Sequence, residues 1–139
     1  MIRALTASLL CGGLIFPFFV RASAGGWNAS HLGVTLEYRG VMAASPAFLP
    51  PKGLNVSSAD TVTVVYWRYF LTSPPPPDLV VKLCSVNRCA NLDGASGQTR
   101  ALGGIAANSE FRFIYYIPGG GRLRTAVKVR SNEISINYK

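Results

Sequence analysis

Apolar and polar positions alternate with a period of two along most of this chain. Leu32, Val34, Leu36 and Tyr38 alternate with Gly33, Thr35, Glu37 and Arg39, and Leu79, Val81 and Leu83 with Val80, Lys82 and Cys84. The same rhythm runs through Phe111, Phe113, Tyr115 and Ile117, through Val127 and Val129, and through Ile134, Ile136 and Tyr138. The segment from Thr61 to Leu71 is dense in β-branched and aromatic residues, which favour a pleated, half-buried surface. Each run predicts a strand. Between them lie Pro50-Pro51-Lys52-Gly53, Ser73 to Asp78, Asp93-Gly94-Ala95-Ser96-Gly97 and Pro118 to Gly121. These read as turns, because proline lacks a ladder donor and glycine accepts positive φ. The nearest approach to a helical period, Ala101 to Asn108, is weakened by Gly103-Gly104. Short strands at this spacing predict an all-β fold, a single-domain β-sandwich of antiparallel strands.

Alternation also sorts side chains by face. In the segment around Trp67, the residues Val65, Trp67, Tyr69 and Leu71 share one side, and Val64, Tyr66, Arg68 and Phe70 the other. An unpaired Arg68 is costly to bury, so the Trp67 side is assigned to the core. By the same rule Lys82, Arg112, Lys128 and Arg130 point outward, in the company of Val80, Ile114 and Tyr116. If these strands are neighbours, they make a basic surface studded with apolar groups. Its candidate partner-binding residues are Tyr66, Arg68, Phe70, Lys82, Arg112 and Tyr116.

The start of the chain follows different rules. Residues Ala4 to Val20 carry no charge, follow Arg3 and end before Arg21 and the small triplet Ala22-Ser23-Ala24. A membrane-spanning helix needs about 20 apolar residues. This stretch is shorter and contains Gly12, Gly13 and Pro17. It reads as a cleaved signal peptide over residues 1–24, leaving a domain over residues 25–139 with no stable membrane insertion. Cys11 is a poor lipoprotein site, because Leu10 is large and the apolar run continues beyond it.

Composition then narrows the chemistry. The 139 residues carry 14 Lys and Arg against 6 Asp and Glu, a net charge of +8, with a single histidine. The low charge density and 49% hydrophobic content exclude a wholly disordered chain. Without the leader, twelve cations face six carboxylates, a net charge of +6. Export argues against nucleic acid as a partner; anionic protein, envelope polysaccharide or lipid headgroups suit the charge better. Cys84 and Cys89 form an even pair in an exported chain, which is most simply a disulfide clamping two strand ends across a tight turn. Their four-residue spacing is not that of thiol–disulfide oxidoreductases, and no zinc-type second pair exists.

Other features carry weaker signals. Pro74-Pro75-Pro76-Pro77 could serve as a polyproline ligand but reads as a stiff connector between strands. Pro118-Gly119-Gly120-Gly121-Arg122 lacks the following helix that a phosphate cradle requires; it reads as a hairpin connection presenting Arg122 and Arg124. His31 has no Gly-x-Ser-x-Gly elbow with which to build a triad. A hydrolase would need two of Glu37, Asp60, Asp78, Asp93, Glu110 and Glu133 to converge in a cleft. Asn28-Ala29-Ser30 and Asn55-Val56-Ser57 are sequons only in a eukaryotic secretory setting. No cofactor motif is present, and the chain is expected not to be an enzyme. A carbohydrate- or peptidoglycan-binding module is the alternative non-enzymatic reading.

One resemblance spans nearly all of residues 27–138. Trp27 with Ser30, Gly33 and Thr35-Leu36 is followed by Arg39-Gly40, Pro50-Pro51 and Trp67-Arg68-Tyr69 with Leu71. Pro74, Leu83-Cys84, Arg88-Cys89 and Leu92-Asp93 continue the series. It ends in Gly119-Gly120-Gly121-Arg122, Val129-Arg130-Ser131-Asn132 and Ile136-Asn137-Tyr138. In their order and spacing these residues resemble the FlhE family, small periplasmic proteins encoded with flagellar export-apparatus components. The resemblance implies a periplasmic β-sandwich that supports orderly flagellar type III secretion and limits proton leak through the export system. With no catalytic apparatus in view, the expected mode of action is docking, through the basic aromatic face or an edge strand, as a cap or chaperone on a flagellar export, rod or hook component.

Overall fold

A computed structural model describes residues 24–139 as nine strands in two antiparallel sheets packed face to face. All of the expected leader except Ala24 lies outside the described residues. The strands are β1 (Gly25–Leu32), β2 (Thr35–Tyr38), β3 (Ala43–Ala44), β4 (Val62–Leu71), β5 (Val80–Ser85), β6 (Arg88–Asn91), β7 (Ser96–Thr99), β8 (Arg112–Tyr116) and β9 (Arg122–Tyr138). One sheet has the order β1-β9-β4-β7, with β2 also paired to β9; the other runs β3-β8-β5-β6. The two sheets keep open edges, so the all-β expectation resolves into a sandwich.

The core lies where the inward faces meet. Val65, Trp67, Tyr69, Ile134 and Ile136 from the five-stranded sheet pack with Val81, Leu83, Phe113 and Tyr115 from the four-stranded one. Edge-to-face aromatic contacts stitch the layers together: the Tyr69 ring lies 5.6 Å from that of Tyr115 and 6.4 Å from that of Phe113. The alternation expected for Phe111 to Ile117 holds, with Phe111, Phe113, Tyr115 and Ile117 all fully buried. Trp27 anchors β1 in the core and donates from Nε1 to the Ala107 carbonyl at 2.9 Å.

β9 is the organising element. The sequence suggests two short strands here, but they form one 17-residue strand broken in register by a bulge. Ser131 opposes Phe70 and Val129 opposes Leu71, so Arg130 is the extra residue. Before it Val127 and Val129 face inward, and after it Asn132, Ile134, Ile136 and Tyr138 do. A bulge switches the parity of a strand in this way.

On the other side of β9 the chain answers with a break of its own. β1 pairs with residues 131–138 and β2 with residues 122–128, with Gly33 and Val34 between them. A side chain on Gly33 would place Cβ 1.8 Å from the Val129 carbonyl oxygen, so only glycine lets the backbones approach here. This break overturns the expected single face of Leu32, Val34, Leu36 and Tyr38. Leu36 is buried, whereas Leu32 is 82% and Tyr38 45% exposed.

Three further expectations are corrected. Ser96-Gly97 is not a turn but part of β7, where Gly97 sits opposite Trp67 and leaves room for its indole. Pro118 to Gly121 crosses from one sheet to the other and is no hairpin; Gly40 donates to the Ile117 carbonyl and Arg39 to that of Gly121, which hold it in place. Val64, placed on the exposed side, is buried next to a bulge at Thr63. The proline run does connect β4 to β5, and so links the two sheets.

Candidate interaction surfaces

The disulfide forms as expected. Cys84 and Cys89 are directly opposed in the β5–β6 hairpin and are joined by a 2.01 Å S–S bond. Two residues, Val86 and Asn87, make the turn between Ser85 and Arg88. Val86 has a φ of 55° and is 84% exposed, an uncommon conformation for a β-branched residue.

The six candidate face residues do not come together. Tyr66, Arg68 and Phe70 stand on the outer surface of the five-stranded sheet, on β4, whereas Lys82, Arg112 and Tyr116 stand on β5 and β8 of the other sheet. The core lies between the two sheets, so their outer surfaces face opposite directions. Alternation gives inside and outside for each strand but not which sheet a strand joins, and the expectation of one face failed on that point.

Each half is nevertheless organised. In the four-stranded sheet Val80 opposes Tyr116, Lys82 opposes Ile114, and Cys84 opposes Arg112. The Lys82 ammonium lies 6.0 Å from the Tyr116 ring centroid, a cation–π distance. Arg112 pairs with Glu110 at 3.7 Å and donates to the Ser45 carbonyl at 3.3 Å. The result is an apolar strip of Val80, Ile114 and Tyr116 bordered by two cations.

The five-stranded sheet is more polar. Two transverse rows cross four strands in exact register. One runs Asn28–Ser135–Tyr66–Gln98; the next runs Ser30–Glu133–Arg68–Ser96. They line a depression of about 890 Å³ on the outer surface. Tyr66 is 45% exposed within it. The Arg68 guanidinium lies 5.8 Å from the Phe70 ring centroid. Although Arg68 and Glu133 are register partners, they make no ion pair; among the described residues only Arg39–Asp78 and Arg112–Glu110 do. Beyond the Arg130 bulge the outward residues of β9 turn basic, with Arg122, Arg124, Lys128 and Arg130 all exposed. Apart from Tyr66 and Arg68, and Glu133 as one of six scattered carboxylates, no member of the two rows is legible in the sequence as a site residue: polar side chains gain meaning only once the register aligns them.

The groups that would carry chemistry are dispersed. His31 Nε2 donates to the Ala47 carbonyl at 3.0 Å, and its ring packs 4.6 Å from that of Phe48. Asp78 is held below the usual carboxylate range by the Arg39 hydrogen bond, and Asp60 accepts from the Ser57 amide. No group of three His, Cys, Asp or Glu that could hold a metal occurs among the described residues. No helix among them is long and apolar enough to cross a membrane. In the buried core the Tyr115 hydroxyl donates to Asn132 Oδ1. Burial, followed by the nearby Tyr69, pushes the Tyr115 phenol well above its ordinary range.

Comparison with known proteins places this architecture. A family model described as Flagellar protein FlhE matches residues 33–139. Flagellar protein FlhE of Salmonella typhimurium is 45% identical over 91% of this chain and 95% of its own length. The Escherichia coli protein of that name is 44% identical over 91% and 95%, and that of Yersinia enterocolitica 38% identical over 90% and 88%. A crystal structure of FlhE superposes with a TM-score of 0.78 at 44% identity, covering 85% of this chain and 99% of that one.

Proposed function

This chain belongs to the FlhE family of flagellar proteins, and we propose that it is a non-enzymatic periplasmic accessory of flagellar biogenesis. In this reading it supports orderly secretion through the flagellar export apparatus and limits proton leak through it, by docking as a cap or chaperone. Family membership over nine-tenths of the chain carries the reading. Two features support the compartment: the uncharged leader-like run ahead of Ala22-Ser23-Ala24, and a disulfide, which persists in oxidising surroundings.

The outer surface of the four-stranded sheet is the docking face of this proposal. Its strip of Val80, Ile114 and Tyr116 with Lys82 and Arg112 alongside has the anatomy of a protein interface, an apolar centre with a polar rim. Aromatic and arginine anchors are the residue types that dominate such contacts. The partner is an export-apparatus, rod or hook component whose contact surface is acidic.

The test is in-cell photo-crosslinking from position 116, with flagellar secretion measured in Lys82→Glu/Arg112→Glu cells. Capture of an export, rod or hook protein, together with disordered secretion in the variant, is the expected result. Normal secretion in a folded charge-reversal variant would reject this face.

A further inference from the structure

We infer that the two polar rows on the outer surface of the five-stranded sheet form a binding site for a short oligosaccharide of hexopyranose units. The inference does not depend on the docking face proposed above, which lies on the opposite sheet.

Register provides the first support. Asn28, Ser135, Tyr66 and Gln98 stand side by side on four neighbouring strands, and Ser30, Glu133, Arg68 and Ser96 stand beside them two residues along. Three inter-strand spacings make each row about 14 Å long, the span of a short oligosaccharide lying across the strands. The depression they line, about 890 Å³, falls within the range of about 300–1,000 Å³ typical of small-molecule sites.

The chemistry of the rows selects the ligand. Asn28 and Gln98 each offer amide donors and an acceptor, the three serines offer hydroxyls that do both, Arg68 only donates and Glu133 only accepts. None of these side chains is committed to a hydrogen bond within the described residues, and all but Ser135 are exposed. A pyranose displays a matching set: hydroxyls around its rim that donate and accept, and a C–H face that lies flat on an aromatic ring. Tyr66, in the middle of its row and half exposed, supplies that ring.

The competing ligand classes fit poorly. A protein interface wants a cluster of apolar anchors at its centre, and Tyr66 is the only large apolar side chain in the rows. A phosphate or acidic polymer wants accumulated positive charge, but within the rows Arg68 is offset by Glu133, and the exposed cations of β9, Arg122 to Arg130, lie outside them. An added peptide strand needs free backbone groups, and in the middle of this sheet the backbone is already paired.

The experiment is a ¹H–¹⁵N NMR titration of protein purified from cells expressing the whole chain. The probes are tetra-N-acetylchitotetraose in one arm and cellotetraose in the other, which distinguishes an N-acetylated from a plain glycan. The expected result is saturable shifts of amides in residues 28–30, 66–68, 96–98 and 133–135 with at least one sugar. Tyr66→Ala should weaken binding by at least about tenfold, and Tyr66→Phe, which keeps the ring, should retain it. Tyr116→Ala, on the opposite sheet, should leave it unchanged. Absence of shifts with both sugars overturns the inference, as do shifts confined elsewhere or equal binding by a folded Tyr66→Ala protein. None of these results bears on crosslinking from position 116, so the two proposals fail separately.

Discussion

Asn132 is fully buried in a hydrophobic core, and its Nδ2 has no hydrogen-bond partner among the described residues, while Oδ1 accepts from the Tyr115 hydroxyl. An orphaned buried polar group costs about 1–3 kcal/mol, and a made hydrogen bond returns about 1 kcal/mol net. These figures predict an asymmetric double-mutant cycle. Asn132→Leu, which keeps the forked shape but is bulkier, removes one orphan and creates another on Tyr115, so its net effect should be near zero apart from the cost of repacking the larger side chain. Tyr115→Phe leaves both Asn132 polar groups orphaned and should destabilise by about 1–3 kcal/mol. The double variant removes every unpaired group and should be more stable than the parent by about 1–2 kcal/mol. Urea unfolding followed by tryptophan fluorescence reads all three, with an unchanged m-value as the check on comparability. These values make the coupling about 2–5 kcal/mol in magnitude, at or above the range usual for neighbours that share a hydrogen bond. Simple additivity would refute the reasoning, because it would mean that Tyr115 and Asn132 do not satisfy one another.

The same core predicts a response to alkali. Burial raises the phenol pKa of both Tyr69 and Tyr115 in the folded state. Unfolded tyrosine ionises near pH 10, so the stability these groups contribute is whole below about pH 10 and drains away as pH climbs beyond it. Equilibrium unfolding between about pH 9 and 11.5 should show this fall, shallower in Tyr115→Phe. Asp78 runs the opposite way: its pKa is lowered by Arg39, so its contribution is present above the unfolded carboxylate value and lost as pH falls through the folded one. Asp78→Asn should therefore unfold less steeply with acid, as measured by circular dichroism. Gly33→Ala must displace the Val129 carbonyl and should cost at least about 2 kcal/mol by thermal unfolding. Replacing both Cys84 and Cys89 by serine should cost about 2 kcal/mol, small because the closed loop is short, with the sandwich retained in the far-ultraviolet spectrum.

The parts of the fold written in local pattern were legible. Long runs of β-branched and aromatic residues marked β4 and β8, and two cysteines flanking a four-residue spacer marked a hairpin. What the pattern did not carry is register. β1 (GGWNASHL) and β7 (SGQT) have few strand-forming side chains; they are strands because β9 and β4 offer them backbone partners. Tertiary context overrides propensity there. The Arg130 bulge and the Gly33 break are invisible for the same reason, since each makes sense only opposite the other. Candidate sites suffered most. Tyr66 and Lys82 were both rightly turned outward, but the choice of sheet depends on how the connections cross, and no periodicity encodes that.

Gly25 pairs with Tyr138 and Leu32 with Ser131, so the first strand of the sandwich waits for the last before its hydrogen-bond ladder exists. β4 waits for the same strand. A chain built this way gains little from folding piecemeal: closing such distant pairs comes late and slowly. While β9 is absent, β1 and β2 have no strand partner and β4 has only β7. Completion is abrupt once the final segment arrives, and any accident that delays it leaves two unsatisfied strand edges exposed to whatever else is nearby.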